Sequence, residues 1–222
     1  MKPRTACQLL LALLLGACHA RDQANRSPAD LDAPGEVIKE KPLPAARAMQ
    51  ADTTVAGAFL RWAEAVRRAD TAAVNAFISP AHGLWVLEQP GALPLLTRVT
   101  DVRRLRRSQP QPSFFTLAAE LMPCLRPTVV DTLPTATCDG PPGNEAGFAR
   151  TGCLLGPARA AALSSIWDHA TLRGGSAAQG RAAIATGRYA VLQTDTGYRF
   201  YWARIAGQWW LVLLDLRVPC SA

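Results

Sequence analysis

The sequence predicts an α+β fold: an N-terminal helix pair packed on a curved antiparallel sheet that ends in a three-stranded meander, braced by disulfides. Three observations predict it. Apolar residues recur at helical spacing between positions 54 and 68, three strand-like runs follow position 188, and four cysteines lie beyond position 120. Of the 222 residues, 49% are apolar and 18% charged, a composition that permits a sizeable core and excludes a wholly disordered chain.

The helix pair is predicted over residues 54–68 and 71–77. The first helix carries four large apolar side chains on one face, spaced by four, three and four residues: Val55, Phe59, Trp62 and Val66. Asp70 is a typical N-cap residue for the second helix. Ser79-Pro80 ends that helix, because proline cannot continue one.

The middle of the chain gives weaker signals. In chain order, we expect a strand over 83–88, a strand over 99–105, either a strand or a helix over 114–122, irregular structure over 124–148, a helix over 158–172 and a helical turn over 181–186.

The C-terminal part predicts three consecutive strands, 188–194, 198–205 and 208–217. Turns at 195–197 and 206–207 each contain a glycine, which suits tight connections. The last strand is apolar on both faces until Asp215 and Arg217. We therefore expect it to be central in the sheet or covered on both sides.

The N-terminus has the pattern of an export signal. Lys2 and Arg4 precede an apolar run over 9–15, which is too short to span a bilayer as a helix. Leu15-Gly16-Ala17-Cys18 then resembles a bacterial lipobox. The resemblance implies that Cys18 is lipidated after cleavage, and that His19, in the place where Asp signals inner-membrane retention, directs the protein to the outer membrane facing the periplasm.

Three segments follow from this interpretation: a signal peptide over 1–17, a lipidated cysteine with a flexible tether over 18–52, and a single α+β domain over 53–222. The tether is rich in Ala, Pro and charged residues and lacks apolar periodicity. Removing Lys2 and Arg4 with the signal peptide lowers the formal net charge from +7 to +5. The membrane, reached through the lipid, is the predicted partner, and nucleic acid is not expected in this compartment.

Cys124, Cys138, Cys153 and Cys220 remain after the leader and the lipidation site are set aside. An even number of cysteines in an exported chain predicts two disulfides. The sequence itself leaves all three pairings open. The spacing contains no Cys-x-x-Cys pair, so we expect no zinc site, no redox motif and no cofactor.

The stretch 59–74 resembles the opening of the SnoaL-like, nuclear-transport-factor-two-like superfamily. It shares a long helix, a small-residue-Asp break at Ala69-Asp70 and a second short helix, and Gly207-Gln208-Trp209 resembles a turn common near the end of such domains. The ending Pro-Cys-Ser-Ala also resembles uncharacterised bacterial lipoproteins. That likeness implies a Cys138–Cys220 bridge, which leaves Cys124 with Cys153.

His82 and His169 are the two histidines of the predicted domain, and a histidine beside a carboxylate supports acid–base chemistry near neutral pH. No catalytic motif surrounds either one, so no catalytic residue is assigned. Four arginines form a candidate basic patch for anionic lipid or an acidic glycan: Arg103, Arg104, Arg106 and Arg107. A solvated edge is the alternative interpretation of these charges.

The sequence thus predicts a lipid-anchored cell-envelope protein whose domain binds a small apolar ligand or an envelope protein without catalysis. Two alternatives remain. One is a SnoaL-like small-molecule enzyme that uses a histidine as acid or base. The other is a structural envelope lipoprotein whose basic face contacts the membrane or a glycan.

Overall fold

Two capped helices open the folded region. The computed structural model describes residues 53–108, 113–139 and 147–220. Helix α1 spans Val55–Arg67 and α2 spans Thr71–Asn75. Thr54 Oγ1 accepts the backbone N–H of Gly57 at 3.1 Å, and Asp70 Oδ1 accepts that of Ala73 at 3.0 Å. Both predicted helices are therefore present, and Asp70 is an N-cap, as expected.

The remaining elements of the described residues are mostly strands. The strands are β1 (Leu84–Glu88), β2 (Leu95–Val99), β3 (Thr128–Val129), β4 (Ala136–Thr137), β5 (Gly147–Phe148), β6 (Cys153–Pro157), β7 (Thr171–Arg173), β8 (Tyr189–Gln193), β9 (Arg199–Ile205) and β10 (Gln208–Asp215). The helical elements are α3 (Leu117–Leu121), α4 (Ala177–Ala185) and the 3₁₀ helices η1 (Val102–Arg104), η2 (Phe114–Thr116) and η3 (Ala160–Asp168). The mixed α+β class is confirmed.

Eight strands form one large sheet in the order β3-β6-β8-β9-β10-β1-β2-β7. The pairs from β6 to β10 and the pair β1–β2 are antiparallel. Three pairs, β1–β10, β2–β7 and β3–β6, are parallel. The expectation of an antiparallel sheet is wrong at these three places, because strands joined by long stretches of chain can pair in either direction. The interior position of β10, between β9 and β1, is as expected.

Each face of the sheet has its own hydrophobic core. One core joins α1 to the sheet and includes Phe59, Trp62, Phe200 and Trp202. The other joins η3 and α4 to the opposite face and includes Trp85, Trp167, Tyr201 and Leu213. Because side chains alternate along a strand, neighbours such as Phe200 and Tyr201 contribute to opposite cores.

One predicted element of the middle region is wrong, and a second is right only over part of its length. The strand expected over 99–105 is instead the end of β2 followed by η1, because the Asp101 carboxylate accepts the backbone N–H of Arg103 at 3.0 Å and starts a turn. The helix expected over 158–172 is η3 followed by β7. The N–H of Thr171 donates to the carbonyl of Pro94 at 2.8 Å, next to the point where β7 pairs with β2.

Other ambiguous segments are resolved by the structure. Residues 114–122 are helical, as η2 and α3, and the helical turn expected at 181–186 belongs to the longer α4. The described part of 124–148 is irregular apart from three two-residue strands. Strand β6 was not predicted, because its apolar stretch is only about five residues long and lacks alternation.

Two disulfides fasten the irregular middle of the chain to the rest. Cys124, after α3, bonds to Cys153 at the start of β6, with a Cα–Cα distance of 5.1 Å. Cys138, after β4, bonds to Cys220 near the C-terminus, with a Cα–Cα distance of 5.3 Å. The predicted disulfides are confirmed, in the pairing that the lipoprotein resemblance implied. Cys18 and the predicted leader and tether lie outside the described residues.

Candidate functional site

The space between α1 and the sheet is filled by aromatic rings. Trp62 lies 5.3 Å from Phe200 and 6.2 Å from Trp202, measured between ring centroids, and Phe59 lies 5.6 Å from Phe200. All four side chains are fully buried. Phe114 of η2 adds a further ring at 6.5 Å from Trp62. The protein's own side chains therefore occupy this interior.

A buried charged cluster lies on the same face, where β1 ends. Arg107, with 8% of its side chain exposed, places Nη1 at 3.5 Å from Glu120 Oε2 and Nε at 3.9 Å from Glu88 Oε1. Nη1 also donates to Thr116 Oγ1 at 2.9 Å, while Glu88 Oε1 accepts the N–H of Ser108 at 3.1 Å. The cluster joins β1, η2 and α3 through one arginine.

The charges of this cluster change the pKa of Tyr198, the residue directly before β9. Burial raises the pKa of the Tyr198 phenol, and the Glu120 carboxylate raises it further, whereas Arg107 lowers it. A neutral phenol is therefore favoured beside the buried ion pairs. Among the described residues, Glu88 Oε2 and Arg107 Nε have no hydrogen-bond partner.

The two candidate histidines do not form an acid–base pair. His82 is half-buried in the turn before β1, where its backbone N–H donates to Ser79 Oγ at 3.3 Å. His169 is exposed after η3, and the carboxylate of its neighbour Asp168 bonds to Arg181 at 2.7 Å instead. Within the described ranges, no ion pair joins either histidine to a carboxylate.

The four arginines of the candidate basic patch have different environments. Arg107 is buried in the charged cluster, so it does not belong to an exposed patch. Arg103 binds the Asp101 carboxylate at 2.6 Å. This hydrogen bond and, to a smaller extent, one from Asn75 hold the pKa of Asp101 well below its usual range. Arg104 and Arg106 are exposed. Sequence reasoning missed this difference because it depends on contacts with residues distant in the sequence, such as those of Arg107 with Glu88 and Glu120.

A cavity of about 450 Å³ lies beside these arginines. Its apolar wall is formed by Val102, Leu105, Phe114 and Phe115, and Arg103, Arg106 and Ser113 complete the lining. The Nη1 of Arg106 donates to the carbonyl oxygens of Arg103 and Leu105 at 3.0 and 3.3 Å. The cations at this cavity are thus already engaged by the protein.

A second concave region lies on the opposite face of the sheet, where β10 ends and β9 begins. Three cavities, of about 180, 220 and 350 Å³, meet there and share Arg217 in their linings. We call this region the arginine groove and define it by five side chains: Arg159, Arg199, Tyr201, Asp215 and Arg217.

Asp215 and Arg217 form the fixed centre of the arginine groove. Arg217 and Asp215 form a bidentate ion pair, in which Nε donates to Oδ1 and Nη2 donates to Oδ2, both at 2.8 Å. Asp215 is 2% exposed. The carboxylate is therefore satisfied by one arginine, and the remaining N–H groups of that guanidinium are not used by Asp215.

Strand register brings Arg199 and Tyr201 to the same place. Arg199 is directly opposite Asp215, and Tyr201 is opposite Leu213, so alternation puts both on one face. The Arg199 guanidinium stacks on Phe148, 5.7 Å from its centroid, and donates to the Gly197 carbonyl at 3.5 Å. Burial, and to a smaller extent the negative charge of Asp215, raises the pKa of Tyr201 to about 12.

The Cys138–Cys220 disulfide borders the arginine groove. Both cysteines line its largest cavity, together with residues after β10 and before β5. Sequence reasoning noted that Asp215 and Arg217 interrupt an apolar strand but assigned them no site. The interruption was the available signal, and only the register of β9 against β10 shows that Arg199 joins them.

Comparisons with known proteins return no match: no family model, no curated protein and no solved structure matches this chain. Two further features concern only the residues that the structure describes. No group of three or more His, Cys, Asp or Glu side chains is placed to hold a metal ion. No helix in those ranges combines the length and the apolar character needed to cross a membrane.

Proposed function

We propose that this chain is a lipid-anchored protein of the bacterial cell envelope whose domain binds a ligand without catalysing a reaction. The lipobox-like Leu15-Gly16-Ala17-Cys18 supports the anchor, and two disulfides in the domain suit an oxidising compartment. His19 after the lipidated cysteine supports an outer-membrane location facing the periplasm.

The domain is proposed to have a SnoaL-like, nuclear-transport-factor-two-like arrangement, with a helix pair packed on a curved sheet that ends in a meander. Several described features support this proposal. Helices α1 and α2 share a core with β1, β9 and β10, and β8, β9 and β10 pair in sequence. The strand next to β10 on its other side is β1, which pairs in turn with β2.

One observation chiefly supports a non-catalytic function. The space between α1 and the sheet is packed with buried aromatic rings, whereas the arginine groove on the other face of the sheet is open. An enzyme of this architecture needs reacting groups around an accessible pocket. Trp62 and Trp202 fill that position, and within the part of the chain that the structure describes no ion pair joins His82 or His169 to a carboxylate. This arrangement disfavours the enzyme alternative and supports the arginine groove as the proposed ligand site.

The structural alternative, a basic face that contacts membrane or glycan, is weakened by the same geometry. Of its four arginines, Arg107 is buried and Arg103 is paired with Asp101. Only Arg104 and Arg106 remain exposed without a carboxylate partner among the described residues. Two such charges give little attraction to an anionic surface at physiological salt.

The anchor is tested by exchanging the lipidation site. Cys18→Ala is expected to abolish fatty-acid labelling and to move the protein from the membrane fraction to the soluble fraction. Cys7→Ala, which changes the other leader cysteine, is the matched control and should leave both unchanged. Unaltered labelling and fractionation of Cys18→Ala would refute the anchor.

Ligand binding is tested by native mass spectrometry of the full chain released from membranes in detergent. We expect a retained small molecule on the wild-type protein, and its loss when Arg199 and Arg217 are both changed to Gln. A wild-type spectrum that contains only the lipidated chain and detergent would contradict a ligand-binding function. A ligand retained equally by the double variant would contradict its location in the arginine groove.

A further inference from the structure

The arginine groove carries an excess of positive charge. Arg159, Arg199 and Arg217 line one cavity with a single carboxylate, Asp215. Both oxygens of Asp215 are engaged by Arg217. Among the described residues, no ion pair involves Arg159 or Arg199. Counting the described residues, the groove therefore holds three cations and one anion, which leaves two positive charges for a ligand.

From this constellation we infer that the arginine groove binds a small polyanion that carries at least two carboxylate or phosphate groups. The inference rests on the proposed ligand-binding function and specifies its chemistry. Arginine suits such ligands because its planar guanidinium offers paired N–H donors that match two oxygens of one carboxylate or phosphate.

Two of the three cations, Arg199 and Arg217, are held in place before any ligand arrives. Arg217 is fixed by its two hydrogen bonds to Asp215, each 2.8 Å long. Arg199 is fixed by stacking on Phe148 and by the Gly197 carbonyl. Side chains that are already ordered lose less entropy on binding, so the same contacts give a higher affinity. Tyr201 remains a neutral phenol at physiological pH and adds no opposing charge.

The volumes of these cavities suit a small molecule. The cavity that holds all three arginines measures about 180 Å³, and the adjoining cavity by Cys138 and Cys220 about 350 Å³. Small-molecule sites have volumes of roughly 300–1,000 Å³. The 450 Å³ cavity beside Arg103 and Arg106 is a poorer anion site, because a carboxylate or backbone carbonyls already engage those cations.

The test is isothermal titration of the full chain in neutral detergent with two probes, citrate and pyrophosphate, at constant ionic strength. We expect saturable one-to-one binding of at least one probe, weakening as sodium chloride is raised. Preference for citrate or pyrophosphate separates carboxylate from phosphate recognition. Arg159→Gln and Arg199→Gln should each weaken binding by about tenfold, the typical effect of losing a charge-assisted hydrogen bond. Arg199→Lys keeps the charge but loses the paired N–H donors of the guanidinium, so its affinity should lie between those of Arg199→Gln and the wild type.

Arg104→Gln is the matched control, since it removes an exposed arginine outside the arginine groove. Equal weakening by Arg104→Gln would show non-specific attraction and overturn the inference, as would binding of neither probe. If neither probe binds but native mass spectrometry still finds an uncharged molecule in the arginine groove, the ligand class is wrong and the binding function stands. If no ligand is found by either method, both proposals fail. Circular dichroism of each variant establishes that the fold is intact.

Discussion

Arg107 gives the sharpest prediction on stability, because it is a buried cation with two carboxylate neighbours. We consider Arg107→Met, which removes the charge and keeps a long apolar side chain. The substitution removes the 2.9 Å hydrogen bond to the Thr116 hydroxyl, and among the described residues it leaves Glu88, 4% exposed, with the N–H of Ser108 as its one partner. Breaking one side of a buried ion pair typically costs about 3–5 kcal/mol, because the remaining charge is uncompensated.

The assay is thermal unfolding of the full chain in detergent, followed by near-ultraviolet circular dichroism. A loss of about 3–5 kcal/mol corresponds to a fall in Tm of about 6–20 °C for a domain of this size. Adding Glu88→Gln to Arg107→Met removes the uncompensated negative charge of Glu88 and keeps an acceptor for the Ser108 N–H. We therefore expect the double variant to recover about 1–3 kcal/mol as coupling energy.

Arg104→Met is the control for this experiment, because Arg104 is exposed and lies in the same basic stretch. Its effect should stay within about 0.5 kcal/mol. If Arg107→Met costs no more than this control, or if the double variant is less stable than Arg107→Met, the charged cluster does not stabilise the fold as we have argued.

Three further predictions concern other parts of the domain. Replacing Cys138 and Cys220 together by Ala should lower the free energy of unfolding in guanidinium by about 4–5 kcal/mol, because their bridge closes a long loop; an unchanged midpoint would contradict this. Tyr201 should ionise near pH 12, seen as a late rise in absorbance at alkaline pH that Tyr201→Phe abolishes. Because the folded-state pKa is raised, this phenol contributes stability below about pH 10 that is lost as the pH rises towards 12, so Tyr201→Phe should unfold with a weaker dependence on alkaline pH. Gly180→Ala should destabilise α4 by about 1–3 kcal/mol despite the better helix propensity of Ala, since the new methyl group would meet the Trp167 ring; a raised Tm would refute that packing.

Periodicity predicted the parts of the fold in which one face of an element decides its structure. Helix α1 has four large apolar residues on one face, and β10 has apolar residues on both faces, so each could be recognised without tertiary information. Strand β6 and η3 could not be recognised in this way. Their conformations depend on pairing with β8 and on packing against Gly180 of α4, which lies under the Trp167 ring.

The candidate site was less predictable than the fold. Arg199 and Arg217 are 18 positions apart in the sequence, and they meet because β9 and β10 pair with a register that shifts between Leu211 and Leu213. A bulge of this kind leaves no clear mark in the residue pattern. Arg107 shows the reverse case, since four neighbouring arginines look equivalent in the sequence but one of them is buried against Glu88 and Glu120.

The hydrogen bond between Trp209 and Thr53 determines how far the chain's entry into the fold lies from the arginine groove. Trp209 Nε1 donates to the Thr53 carbonyl at 2.7 Å, so the chain enters the fold beside the start of β10. Asp215 lies at the other end of that strand, six residues or about 20 Å away. Thr53 and the arginine groove are thus at opposite ends of β10. Because Thr53 and the arginine groove are separated by most of the length of β10, a solute could reach the groove without meeting the point where the chain enters the fold.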